Sequence, residues 1–204
     1  MIHMSKKNQA ALIQQLSDTE LYLNIYLSQL LFLVAGSILM FFTSFPWSHV
    51  TWNTKAELYG LGLAIGTVLF NLLLYKWLPL SYVDDGGINE RIFSSLSLPN
   101  IALLTLVIAI CEEWLFRGAL QNLLGLHITS ICFALLHIRY LKKPVLFSVA
   151  VLLSYLLGYL YESTDNLVAP MSAHFLIDFL LGALLAKRGS SRAIKEMVTR
   201  SKRE

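Results

Sequence analysis

Apolar runs of membrane-spanning length leave this chain few ways to fold. A helix rises about 1.5 Å per residue, so roughly 20 apolar residues cross the ~30 Å hydrocarbon core of a bilayer. Runs of that kind recur over residues 21–42, 56–77, 99–124, 144–161 and 167–186, with a shorter one at 128–138. Inside hydrocarbon the backbone must satisfy its own hydrogen bonds, which leaves helices or closed barrels, and apolar runs this long argue for helices. Of the 204 residues, 56% are hydrophobic and only 14% are charged, which excludes a disordered or ordinary soluble chain. The expected fold is all-α, a polytopic membrane bundle of about six transmembrane helices.

The segments between the runs divide the chain. Residues 1–20 read as a mildly amphipathic N-terminal segment, and Ser17 to Glu20 has the capping-box form just ahead of an apolar run. Residues 21–186 read as the bundle. The lysines near the start are followed by no small-residue cleavage site, so the first run is expected to act as an uncleaved anchor. Residues 79–99 read as a polar linker with a turn at Asp84-Asp85-Gly86-Gly87, whose acidic pair is expected to be solvated rather than a metal site. Gly62 and Gly66 have a spacing that lets another helix approach closely. Gly125 is expected to end the third helix, and Pro144 to open the fifth. Cys111 and Cys132 lie in apolar runs and read as small apolar residues, not as a disulfide or metal framework.

Residues 187–204 form a basic tail of seven basic and two acidic residues, which leaves a slight negative balance for the rest of a chain whose net charge is +3. Such a local basic patch suits an anionic lipid surface better than nucleic acid. With both termini on the cytoplasmic side, every Lys and Arg except Lys55 and Arg117 falls on that side, as the positive-inside rule requires.

Against this background the polar residues at membrane depth stand out. A charge at the bilayer centre costs about 2.5 to 3.5 kcal/mol on insertion scales, so such residues mark functional sites. Glu112, Glu113 and Arg117 lie together in the third long run. Residues four apart share a helix face, so Glu113 is expected to pair with Arg117, while Glu112, turned about 100° away, lacks that partner. Phe133 and His137 repeat the four-residue spacing in the short run, and His174 and Asp178 repeat it in the last one. One buried histidine is ordinarily a structural hydrogen-bonding residue. Glu112, His137, His174 and Asp178 on three helices are harder to explain that way, because a carboxylate beside two imidazoles can activate water, hold a metal or relay protons.

These motifs, Glu112-Glu113-x-x-x-Arg117, Phe133-x-x-x-His137 and His174-x-x-x-Asp178, in this order on successive membrane helices, resemble the CPBP intramembrane proteases. That family includes the type II CAAX prenyl endopeptidase and bacteriocin-processing or immunity relatives of bacteria, and the resemblance covers about residues 100–186. It implies a helical bundle around a polar catalytic cavity, multi-pass in a prokaryotic cell membrane, that hydrolyses membrane-associated peptides or proteins. By resemblance Glu112 is the water-activating base, His137 helps orient the water, and His174 with Asp178 stabilises the oxyanion or completes a metal site. The eukaryotic prenyl endopeptidases have asparagine where this chain has Asp178, whereas prokaryotic relatives accept either. An ionised aspartate cannot donate to an oxyanion, so Asp178 is expected to orient His174 or ligate a metal. This chain is also shorter than the eukaryotic enzymes, so a prenylated substrate does not follow.

Glu112, His137 and His174 would supply two imidazoles and a carboxylate, enough for a catalytic zinc with an open position. A metal-free glutamate mechanism is the other course and the one expected. Two further functions compete with the protease: a non-catalytic membrane peptide-binding or immunity protein, and a proton-coupled transporter. The latter is disfavoured by the lack of an inverted repeat or of a Gly/Pro-broken helix pair.

Overall fold

A computed structural model of the chain describes residues 15–201, with side chains through Gly189. The readings on residues 1–14, and on the side chains of the basic tail from residue 190 onward, lie outside the described residues. Among the described residues all regular structure is helical: α1 (Asp18–Phe42), α2 (Thr54–Trp77), α3 (Leu80–Val83), α4 (Ile88–Ser94), α5 (Leu98–Glu113), a π-helical segment (Trp114–Leu120), α6 (Gln121–Leu136), α7 (Pro144–Thr164) and α8 (Val168–Ser201). Short 3₁₀ turns lie at Trp47–His49 and Ile138–Tyr140. Five helical stretches among the described residues are long and apolar enough to cross a membrane, which makes this an integral membrane bundle.

Local sequence explains where the helices begin. Ser17 caps α1, its hydroxyl accepting from Glu20 N while Glu20 Oε2 accepts from Ser17 N at 2.7 Å. Asn53 caps α2 by accepting from the amides of Lys55 and Ala56 at 3.1 Å each. Pro144 opens α7, where its missing N–H costs nothing.

The 39-residue stretch Leu98–Leu136 is one of the five, yet the chain turns back within it at Gly125, which sits at φ 75° and ψ 169°, a conformation open to glycine. Residues 126–136 then descend only about 16 Å, part of the way back. The short turn that follows is met by the elements after α2: Lys143 Nζ donates to Ser81 O at 3.1 Å and Asn89 Nδ2 to Tyr140 OH at 3.3 Å. The bundle therefore has six passes, one of them short. Asp18 pairs with Arg91 at 3.0 Å and Arg188 lies over the Tyr75 ring at 5.3 Å, so both ends of the bundle chain lie on one side. At the other side Asn166 Nδ2 donates to Thr51 O at 2.7 Å and Leu167 N to His49 O at 2.9 Å.

Four expectations need correcting. Residues 79–99 are not a mere linker, because Ile88 and Ile92 of α4 pack with Leu21 and Leu104 in a buried cluster. Asp85 is not a solvated loop carboxylate: its side chain is 7% exposed, it accepts from Asn89 N at 3.1 Å and it faces Arg139 at 3.7 Å. Burial pushes the Asp85 carboxyl above the usual range, and Arg139 only partly opposes this. Next, a Cβ added at Gly62 or Gly66 would meet nothing within 4 Å, and both instead line a side groove between α2 and α7, whereas a Cβ at Gly60 would lie 2.9 Å from Ala169 O. The close approach of α2 to α8 rests on Gly60. The helix of the last run also continues past Ala186, through Ser201.

Candidate active site

The site begins where α5 passes into the π-helical segment. A π turn is wider than an α turn and displaces the carbonyls that follow, and such segments recur at functional sites. Here Asn122 Nδ2 donates to the carbonyls of both Arg117 and Gly118 at 2.9 Å. α1 lies against this segment because two residues are small: a Cβ on Gly36 would stand 2.9 Å from Trp114 Cδ1 and 3.1 Å from Leu115 Cα, and one on Gly118 would stand 2.9 Å from Met40 Sδ.

Glu113 and Arg117, both 0% exposed, form the buried ion pair of the segment, with Arg117 Nε donating to Glu113 Oε2 at 2.9 Å. The other guanidinium nitrogens are used as well, Nη1 on Gln121 Oε1 at 3.2 Å and Nη2 on Ser154 Oγ at 2.9 Å. Gln121 Nε2 in turn donates to Gly158 O at 2.9 Å and Glu162 Oε1 at 3.1 Å. A buried charge is tolerated when it is paired and its remaining donors are satisfied, and Arg117 meets both conditions.

The remaining oxygen of Glu113 reaches across to α8, where His174 Nδ1 lies 2.9 Å from Glu113 Oε1. His174 Nε2 faces Asp178 Oδ2 at 3.5 Å, so the histidine is held between two carboxylates, one fully buried and one 31% exposed. His137 ends α6, and its Nδ1 lies 3.0 Å from Phe133 O. Because a carbonyl can only accept, Nδ1 carries the proton and Nε2 is left to face outward as an acceptor in the neutral ring. Phe133 is the common spacer: its ring lies 4.9 Å from that of His137, 6.2 Å from that of His174 and 5.7 Å from Arg117 Cζ.

Glu112, His137, His174 and Asp178 all line one cavity of about 330 Å³, which extends past Asn71 and Tyr75 to Asp85, Arg139 and Arg188 at the side where the bundle's two ends meet. Glu113 and Arg117 lie behind its wall. Among the described residues Glu112 has one hydrogen-bond partner, Gln29 Nε2 at a long 3.4 Å. The bundle thus presents to one cavity a carboxylate with spare accepting capacity, an imidazole with one outward nitrogen, and a histidine locked between two acids.

The zinc set Glu112, His137 and His174 does not fit this geometry. Both nitrogens of His174 already face carboxylates, and among the described residues no group of three or more His, Cys, Asp or Glu side chains is placed to hold a metal ion. No step below is routed through a metal.

Sequence reasoning missed Gln29, Gln121, Asn122 and Ser154. The signal for Gln29 was available, since it is a buried primary amide in the middle of the first apolar run, 5% exposed. Its Oε1 finds no donor among the described residues, a condition that costs about 1 to 3 kcal/mol for a buried acceptor.

Comparisons with known proteins bear on the same stretch of chain. Residues 94–180 match the family model described as type II CAAX prenyl endopeptidase Rce1-like. That stretch contains α5, the π segment, α6 and α7 entire and holds all the motif residues named above. The chain is also similar to the Bacillus subtilis (strain 168) protein named Uncharacterized protein YpbD, 51% identical over 120 residues, which is 59% of this chain and 64% of that protein. The chain therefore spans just under two thirds of the length of that relative. No solved structure matches it.

Proposed function

We propose that this chain, whose residues 94–180 match the family model described as type II CAAX prenyl endopeptidase Rce1-like, belongs to that family and is an intramembrane endopeptidase that uses Glu112 to activate water. The observation that carries the reading is the shared cavity, on which Glu112, His137, His174 and Asp178 converge from three helices of the bundle. Glu112 and His137 Nε2 are two acceptors, and a water has two hydrogens to donate. Held by both, it presents its lone pair to a peptide carbonyl. Glu112 takes the proton as the oxygen attacks, the carbonyl carbon becomes tetrahedral, and the same proton passes to the departing amide nitrogen as the C–N bond breaks.

The developing oxyanion needs a donor and positive potential. His174 supplies both, because a ring flanked by two carboxylates donates from both nitrogens, and its Nε2 is the more loosely held. Glu113 and Arg117 position His174 from behind, and Asp178 orients it. On this reading the side where the two ends of the described bundle meet faces the cytoplasm of a prokaryotic cell, so the cavity mouth is cytoplasmic and the substrate is a membrane-associated peptide or protein. Prenylation is no requirement of this geometry.

The test is cleavage of a panel of synthetic membrane peptides by purified protein in vesicles, read by mass spectrometry. Wild type is expected to cut, with and without a strong chelator, and Glu112→Gln to fold and not cut. Equal cleavage by Glu112→Gln would refute the assignment. Tight peptide binding with no product from wild type would instead establish the non-catalytic binding or immunity reading.

A further inference from the structure

Gln29 is the one residue of α1 whose side chain reaches the candidate base. It lies outside the stretch that matches the family model, and no motif contains it. It is 5% exposed, lines the same cavity as Glu112, and is brought there by the close seat of Gly36, two turns on, against Trp114 and Leu115. Its two ends are used unequally. Nε2 points to Glu112 Oε1 at 3.4 Å, while Oε1, an acceptor, meets no donor among the described residues. An amide buried in the cavity wall beside a carboxylate, with an acceptor that has no donor and is shielded until the side chain turns, is suited to a ligand that brings an N–H. A peptide entering a largely apolar cavity brings main-chain N–H groups that have lost their water and require acceptors.

We propose that Gln29 bridges the base and the substrate: its Nε2 holds Glu112 Oε1, and its Oε1 accepts a main-chain N–H of the peptide next to the scissile bond. This rests on the endopeptidase reading above. The bridge sets the distance between carboxylate and peptide from a helix that carries none of the motif residues, so α1 takes part in registering the substrate. Hydrogen bonds at such sites are often long before substrate binds and shorten in the complex, which accounts for the 3.4 Å separation.

Two measurements test it. In the first, a peptide that wild type cleaves is remade with each amide N–H flanking the scissile bond replaced in turn by an ester oxygen. Wild type is expected to lose about 10- to 100-fold in kcat/KM at one position, the loss of one hydrogen bond in a dry site. Gln29→Leu, which suits a membrane helix, should lose as much with the amide peptide and show no further loss with the ester. Equal sensitivity to the ester in wild type and Gln29→Leu would overturn the contact with substrate.

The second measurement needs no substrate. The infrared carboxylate band that disappears in Glu112→Gln is followed in wild type and Gln29→Leu. It is expected to shift on loss of the amide donor, and an unchanged band would overturn the contact with Glu112. Failure of the endopeptidase reading itself looks different: wild type and Glu112→Gln would then be equally inert toward every peptide while the infrared shift persisted. That outcome would overturn the substrate half of the bridge.

Discussion

Glu113, and not its neighbour Glu112, is the carboxylate that holds His174, at 2.9 Å from Nδ1. Its second oxygen binds Arg117 at the same distance, so one buried acid ties α8 to the π segment. The two adjacent glutamates have separate work: one builds the wall, and the other faces the cavity.

Substitution should separate them. Removing one partner of a buried ion pair costs about 3 to 5 kcal/mol, so Glu113→Gln and Arg117→Met should each lower the unfolding midpoint in detergent markedly. Glu112→Gln should unfold within about 1 kcal/mol of wild type, since it keeps the shape and its one hydrogen bond is long. Thermal unfolding of the three variants checks this, and a Glu112→Gln protein as unstable as Glu113→Gln would contradict it.

Gly36 offers a test that touches no polar group. An added methyl would meet Leu115 backbone atoms at 3.1 and 3.2 Å, which cannot swing aside as a side-chain tip can. Gly36→Ala should push α1 from the π segment, lower the unfolding midpoint by an amount equivalent to about 1 to 3 kcal/mol, and reduce cleavage. An unchanged midpoint would mean that α1 is not seated there.

The six passes predict sidedness. In a protein whose Cys111 and Cys132 are replaced by alanine, cysteines at exposed Asn53 and Lys142 should react with an impermeant reagent from opposite faces of sealed vesicles. Reaction from one face would require an even number of crossings between them and overturn the turn-back at Gly125.

Asp85 sets a pH dependence. Its folded-state carboxyl is raised by burial, so the folded chain binds its proton more readily than the unfolded one. The protonated form therefore favours folding, and that contribution is present below the unfolded value of about 4 and is lost as pH rises through the folded one. Asp85→Asn, which keeps an acceptor for Asn89 N, should be more stable than wild type at pH 7, with the gain shrinking toward pH 4. Unfolding midpoints across that range decide it, and a gain that grew on acidification would show that the pair with Arg139 outweighs burial.

What the sequence by itself determined is local and periodic. Apolar length marked the passes, Gly125 marked the end of the third run, the capping box marked the start of α1, and the four-residue spacing joined Glu113 to Arg117. Each depends on a few neighbouring residues and on helix geometry, so no knowledge of other helices is needed. The partner of His174, the reach of Gln29 to Glu112, the burial of Asp85 and the use of Gly60 rather than Gly62 and Gly66 were decided by the tertiary structure. Each depends on how far one helix is rotated and slid against another. Helices in lipid are apolar on the face they show to the membrane and on the face they show to each other, so composition carries little record of that rotation. It is settled instead by close contacts such as Gly36 on Trp114 and Leu115, and by the need of a few buried polar atoms to find one another.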